Sequence, residues 1–196
     1  MGSLALQSWN TERAEHLNAL REVHSNLTGG RRGRQWATEQ LNHALIARLI
    51  SEFQGFSRDL HDEAIDFIFQ EAVATSPSIE PILRSGLLNR RGLDTGNPTL
   101  TNLASDFSKL GLTAFRARLG AHNSAAESWL ADLSSLNEAR NAIAHGDDVK
   151  LAHVLQTHRL TQETARRWRT SLNRLARGMD SIVGAYLKSL TGKKPW

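Results

Sequence analysis

The chain has 196 residues, with 24 Lys and Arg against 20 Asp and Glu, a formal charge of +4, 40% hydrophobic residues and no cysteine. That length suits one domain able to bury its own core. The missing thiols exclude disulfides, thiol nucleophiles and thiolate metal sites, and they agree with a reducing, cytoplasmic setting. Arg heavily outnumbers Lys, and its planar fork of donors matches phosphate and stacks on bases, so the balance leans toward a nucleic-acid partner. An ordinary soluble protein from an Arg-favouring background gives the same balance. No membrane span is expected, because the best apolar stretch, Ala44 to Ile50, is broken by Arg48 and falls far short of about 20 residues. Glu12, Arg13 and Glu15 come too early for a secretory leader.

In chain order, residues 9–27 read as a first helix capped by Asn10 or Thr11. Gly29-Gly30-Arg31-Arg32-Gly33-Arg34 then breaks it. Arg31, Arg32 and Arg34 make this loop a candidate RNA-contacting tip, with a solvated flexible loop as the plainer reading. From Gln35 to about Ala74 the pattern is helical, since Leu41, Leu45, Leu49, Phe53, Phe56 and Leu60 share one face. Gly55 inside that run marks a bend or the close approach of another helix. Pro77 and Pro81 end it, and residues 75–97 read as connection.

Asn97-Pro98 opens a further helix, with Asn97 or Thr99 as cap and Gly111 as stop. Ser124 to His145 is the next helix, ended by Gly146. Residues 147–160 are ambiguous. Thr161 caps a long final helix whose Trp168, Leu172, Leu175 and Met179 stripe reads as core. The boundaries are therefore 1–34 for the N-terminal helix and Gly/Arg loop, 35–190 for the main helical domain and 191–196 for a loose tail, all in one compact domain. The scattered histidines include no His-x-x-x-His pair, so no metal and no cofactor is expected.

The segment Leu136 to Asp147 carries the chemistry. On a helix at about 100° per residue, Trp129, Leu133, Leu136 and Ile143 fall in one apolar sector, and Arg140 falls in the same sector. An unpaired guanidinium in a core costs many kcal/mol, so Arg140 either meets a carboxylate or faces a groove where an anion binds. Asn141 and His145, one turn apart, share the adjoining flank. A cation, an amide and an imidazole suit phosphodiester cleavage, with the imidazole moving protons and the guanidinium stabilising developing charge. The plainer reading is that Arg and His near a helix C-terminus complement the helix dipole, a contribution of up to about 1 kcal/mol.

Arg140-Asn141-Ala142-Ile143-Ala144-His145-Gly146 resembles the Arg–x4-6–His motif of HEPN domains. Leu41-Asn42-His43-Ala44 through Ser51-Glu52-Phe53 and Asp59-Leu60 is similar to the first long helix of the RiboL-PSP-HEPN branch. Gly96-Asn97-Pro98-Thr99 through Leu110-Gly111-Leu112 is similar to that branch's middle. The resemblance implies an all-α bundle with long antiparallel helices, paired into a homodimer with the motif helices facing one another. It implies a metal-independent endoribonuclease in which the ribose 2′-OH attacks the neighbouring phosphate. His145 would be general acid or base, Arg140 would hold the phosphate, and Asn141 would orient His145 or the substrate. Such proteins serve as toxins, anti-phage effectors or RNA-processing factors, which implies RNA and an antitoxin or defence-system protein as partners. Glu52 is expected to support the site by anchoring Arg140, in a structural or a catalytic role. The rival readings are a non-catalytic module that binds RNA or protein, and a structural helical dimer with Arg140 locked to Glu52.

Overall fold

The computed structural model describes residues 2–28, 36–71 and 78–196, and the described residues are helical with no strand. The elements are α1 (Leu4–Asn10), α2 (Glu12–Thr28), α3 (Trp36–Glu71), α4 (Glu80–Leu88), α5 (Gly92–Thr95), α6 (Leu100–Lys109), α7 (Phe115–His122), α8 (Ala126–His145), α9 (Asp148–Thr157) and α10 (Gln162–Thr191). None of these helices is long and apolar enough to cross a membrane.

The apolar stripe expected on α3 is buried from Leu45 through Leu60 and continues through Ala64, Ile65 and Phe69. α3 packs against α1, α2, α8 and α10, so it forms the axis of the bundle. The two longest helices run parallel, not antiparallel. Leu45 and Leu49 of α3 share a cleft with Ala165 and Arg169 of α10, and at the other end Lys193, just past α10, pairs with Glu71. α8 lies antiparallel to α10, with Asp132 taking a 2.6 Å hydrogen bond from Ser171 and Trp129 meeting Gly178. The long return through α4 to α9 is what lets α3 and α10 point the same way.

The N-terminal segment is two helices where one was expected over 9–27, and it is built into the bundle. Trp9 is buried, with ring centroids 5.7 Å from Phe53 and 5.8 Å from Phe56, and its indole N–H donates to Asn173 at 2.9 Å. The free N–H groups at the start of α1 are capped by carboxylates from other helices. Glu63 accepts from Leu4 at 2.9 Å and from Ala5 at 3.0 Å, and Asp180 accepts from Ser3 at 3.0 Å.

Three further expectations change. Residues 75–97 hold α4 and α5, because Pro81 sits in the first turn of α4, where a missing N–H is harmless. Arg84 secures α4 by an ion pair to Asp66 at 2.6 Å and by lying 5.0 Å over the Phe69 ring. In α5 the N–H groups of Gly92 and Leu93 donate to the buried Asp106 carboxylate at 2.9 and 2.8 Å. The ambiguous stretch 147–160 contains α9, and Asp147 caps it by accepting from the Lys150 N–H at 3.0 Å. The tail is not loose: Trp196 packs on the core against Gly184, and Lys193 is held by Glu71.

Gly55 marks the close approach of another helix. A Cβ there would lie 2.3 Å from Nη1 of Arg13, whose guanidinium crosses α3 at this point to reach Glu52 at 2.8 Å and Asp59 at 2.6 Å. Gly55→Ala gains about 1 kcal/mol of helix propensity but pushes that guanidinium off its carboxylates. The substitution is expected to lower the melting temperature of the wild type and to raise it in an Arg13→Ala background. Denaturation of the four proteins checks the sign reversal.

Candidate functional site

α8 buries Trp129, Leu133, Leu136, Ala139 and Ala142, which fixes the rotation of its last two turns. Arg140 and Ile143 lie on the edge of that stripe and are half-buried, not within the core. Gly146 ends the helix in the left-handed region at φ 59°, and the Asp147 N–H closes the turn onto the Ala142 carbonyl at 3.1 Å. The chain therefore leaves α8 sharply, and His145 stands exposed in its last turn. Among the described residues the His145 ring has no hydrogen-bond partner and Arg140 has no ion pair; the one contact of the Arg140 guanidinium is a 3.3 Å hydrogen bond to Oδ1 of Asn141. Arg140 therefore meets no carboxylate among the described residues, unlike Arg13 and Arg91.

Asn141 is the fixed point of the cluster. Its Oδ1 also accepts from Nδ2 of Asn97 at 2.6 Å. With the oxygen engaged twice, the Asn141 amide N–H groups remain as donors. Asn97 is fixed in turn, because its carbonyl accepts from Nδ2 of Asn102 at 2.7 Å. The Asn102 side chain sits between Gly92 and Gly96, where a Cβ would come within 2.9 and 3.1 Å of it. Gln54 of α3 grips the same loop by donating to the carbonyls of Leu93 at 2.7 Å and Gly96 at 2.8 Å. A run of amides thus carries the position of α3 through the 92–97 loop to Asn141. Asn97 does not cap α6; Thr99 does, accepting from the Asn102 N–H at 3.2 Å.

Glu52 lies elsewhere, and the expected anchoring of Arg140 is absent. It faces α2 and is buried, accepting from Arg13 at 2.8 Å and meeting Nδ1 of His16 at 2.9 Å and Arg48 at 2.5 Å. Three basic side chains on α2 and α3 surround it, and none of its partners among the described residues is on α8. Burial pushes the Glu52 carboxyl up, but hydrogen bonds from Arg13 and His16 and the charge of Arg48 outweigh that and hold it below its ordinary 4.5. Arg31, Arg32 and Arg34 lie outside the described residues.

The structure links Arg140 and Asn141 by a hydrogen bond and leaves His145 apart in the last turn of α8, Glu52 lies elsewhere, and the supporting contacts of Gln54 and Asn102 were not foreseen. The signal for the supports was the amide-and-glycine run Gly92 to Asn102, where two glycines four apart leave room for a buried amide. Among the described residues no group of three or more His, Asp or Glu side chains is placed to hold a metal ion. Comparisons with protein-family models, curated proteins and solved structures found no match to the chain.

Glu52→Gln is expected to cost about 2–3 kcal/mol, since it leaves Arg13 without its buried counter-charge. A carboxyl held below its ordinary value contributes stability that is complete above 4.5 and is lost as the pH falls through its folded-state value. The gap between wild type and Glu52→Gln should therefore close as the pH drops below 4.5. Arg140→Ala, by contrast, should cost under about 1 kcal/mol, because no carboxylate depends on it. Urea denaturation of the three proteins at neutral and acid pH checks both statements.

Proposed function

We propose that this chain is a metal-independent endoribonuclease of HEPN type, acting in the cytoplasm as a toxin or anti-phage effector and working as a symmetric homodimer. The observation that carries the reading is a half-buried Arg140 with no carboxylate among the described residues, held beside an anchored Asn141, with an exposed, unpartnered His145 one turn on. A folded protein that needed Arg140 only for stability would pair it with an acid, as Arg13 and Arg91 are paired here. Half-buried and left unpaired among the described residues, it suits an anion that arrives from solution.

The reaction follows from those groups. An imidazole accepts the proton of a ribose 2′-OH as the O2′–P bond forms, and an imidazolium protonates the departing 5′ oxygen as the P–O5′ bond breaks. The Arg140 guanidinium, offering a bidentate fork, stabilises the charge that builds on the non-bridging oxygens. The free N–H groups of Asn141 orient the same phosphate or the imidazole. The products are a 2′,3′-cyclic phosphate and a 5′-OH. Two copies related by a two-fold axis would supply two His145 side chains, one to act as base and one as acid. The partners are then RNA, a second copy of the chain, and an antitoxin or defence-system protein.

The second reading, a module that binds RNA or protein without cleaving, is favoured by the loose geometry at His145, which no second group orients among the described residues.

Incubation of total RNA with wild type and with His145→Ala, in chelator, separates the two. Cleavage by wild type alone, leaving cyclic phosphate ends, with His145→Ala still folded and dimeric, is the expected outcome. Cleavage that persists in His145→Ala would overturn the assignment. Asn97→Ala releases Asn141 and should slow cleavage about 10- to 100-fold while leaving the melting temperature within a few degrees. Single-turnover rates and a thermal melt read the two effects.

A further inference from the structure

Away from the Arg140 cluster, α2, α3 and α10 meet in a shallow cleft floored by Leu17, Leu45, Leu49 and Ala165. Arg21 of α2 and Arg166 and Arg169 of α10 line it, and among the described residues no acidic side chain does. Arg166 is compensated by Glu163, an exposed partner 3.2 Å away. Arg169 reaches only neutral groups, Asn18 at 2.7 Å and the Ala14 carbonyl at 3.4 Å. Among the described residues Arg21 has no partner, and its Nε is buried with its hydrogen bond unmade. Burial, and after it the charge of Arg21, lowers the proton affinity of Arg169. Two like charges facing one cleft destabilise the free fold. The cleft also lies against the first two turns of α10, whose N-terminal end adds positive potential, and α10 is 30 residues long. The enclosed volume is only about 10 Å³, so a ligand rests on the guanidinium rim and does not enter.

We infer that Arg21 and Arg169, with Arg166 beside them, form a phosphate-binding site that takes a backbone phosphate of single-stranded RNA. The RNA as occupant rests on the function proposed above; the phosphate chemistry does not. A guanidinium with an unmade buried N–H and a second one satisfied only by neutral oxygens offer charge and free donors to a phosphate. Hydrophobic residues below them exclude water from one side, which strengthens the attraction.

The test uses the full chain carrying His145→Ala, so that RNA stays intact and the result does not depend on whether the protein cleaves. Binding of a labelled 12-nucleotide single-stranded RNA is followed by anisotropy across a salt series, with and without Arg21→Glu. Because Arg21→Glu places a carboxylate opposite Arg169, it is expected to raise the melting temperature while weakening RNA binding at least tenfold and lowering the salt slope by about one. Arg21→Gln should do the same to binding with less effect on melting. RNA affinity and salt slope unchanged in both variants would overturn the inference. Stabilisation of the parent by inorganic phosphate, lost in Arg21→Glu, with no RNA binding by the parent, would reject RNA as occupant and leave a site for small phosphates.

Discussion

Every arrangement described above hangs on α3 being covered on nearly all sides. Its aliphatic and aromatic residues are packed by α1, α2, α8 and α10, and α5 closes over it near Gln54. A helix enclosed in this way leaves few places for polar groups, and three of those present reach partners on other segments. Glu52 meets α2, Gln54 meets the 92–97 loop, and His61 meets the Asp106 carbonyl at 3.1 Å. These buried polar contacts set the register of the surrounding helices, since a slide of one turn would leave each of them unsatisfied at a cost of about 1–3 kcal/mol. Hydrophobic burial alone gives no such register.

The polar contacts also divide labour between two sides of α3. Toward α2, they are ionic and closed, with acids and bases in mutual contact. Toward α8, they are neutral amides, and the one strong charge, Arg140, is left over. Neutral amides hold geometry without neutralising the guanidinium. That combination leaves a cation beside an anchored amide with no counter-charge among the described residues.

Much of this was legible in the residues. The 3.6-residue periodicity of α3 and α10, the Thr99 and Thr161 caps and the Gly146 stop are local signals, and the structure follows them. The short helices α1 and α5 were not legible, because their N-terminal N–H groups are completed by residues far away in sequence. α1 is capped by Glu63 and Asp180, and α5 by Asp106. The direction of α10 relative to α3 is likewise set by the path of the intervening chain and not by either helix. At the site, Arg140, Asn141 and His145 share one helix, so spacing alone gave their positions along it. Two of the three bases on Glu52, Arg13 and His16, required knowing that α2 lies against it, whereas Arg48 is one turn away on α3 itself. Charge sign says that Glu52 pairs; only packing says with whom.

The capping of α1 bears on the order in which the protein is made. A seven-residue helix has too few hydrogen bonds to persist by itself. Its N–H groups are completed by Glu63, and Ser3 and Trp9 by Asp180 and Asn173 of the last helix. As the chain leaves the ribosome, this first segment emerges long before α10 exists to receive it. It must stay unsettled until α10 has been made. The bundle then closes in one event, when α1 meets α10 around α3.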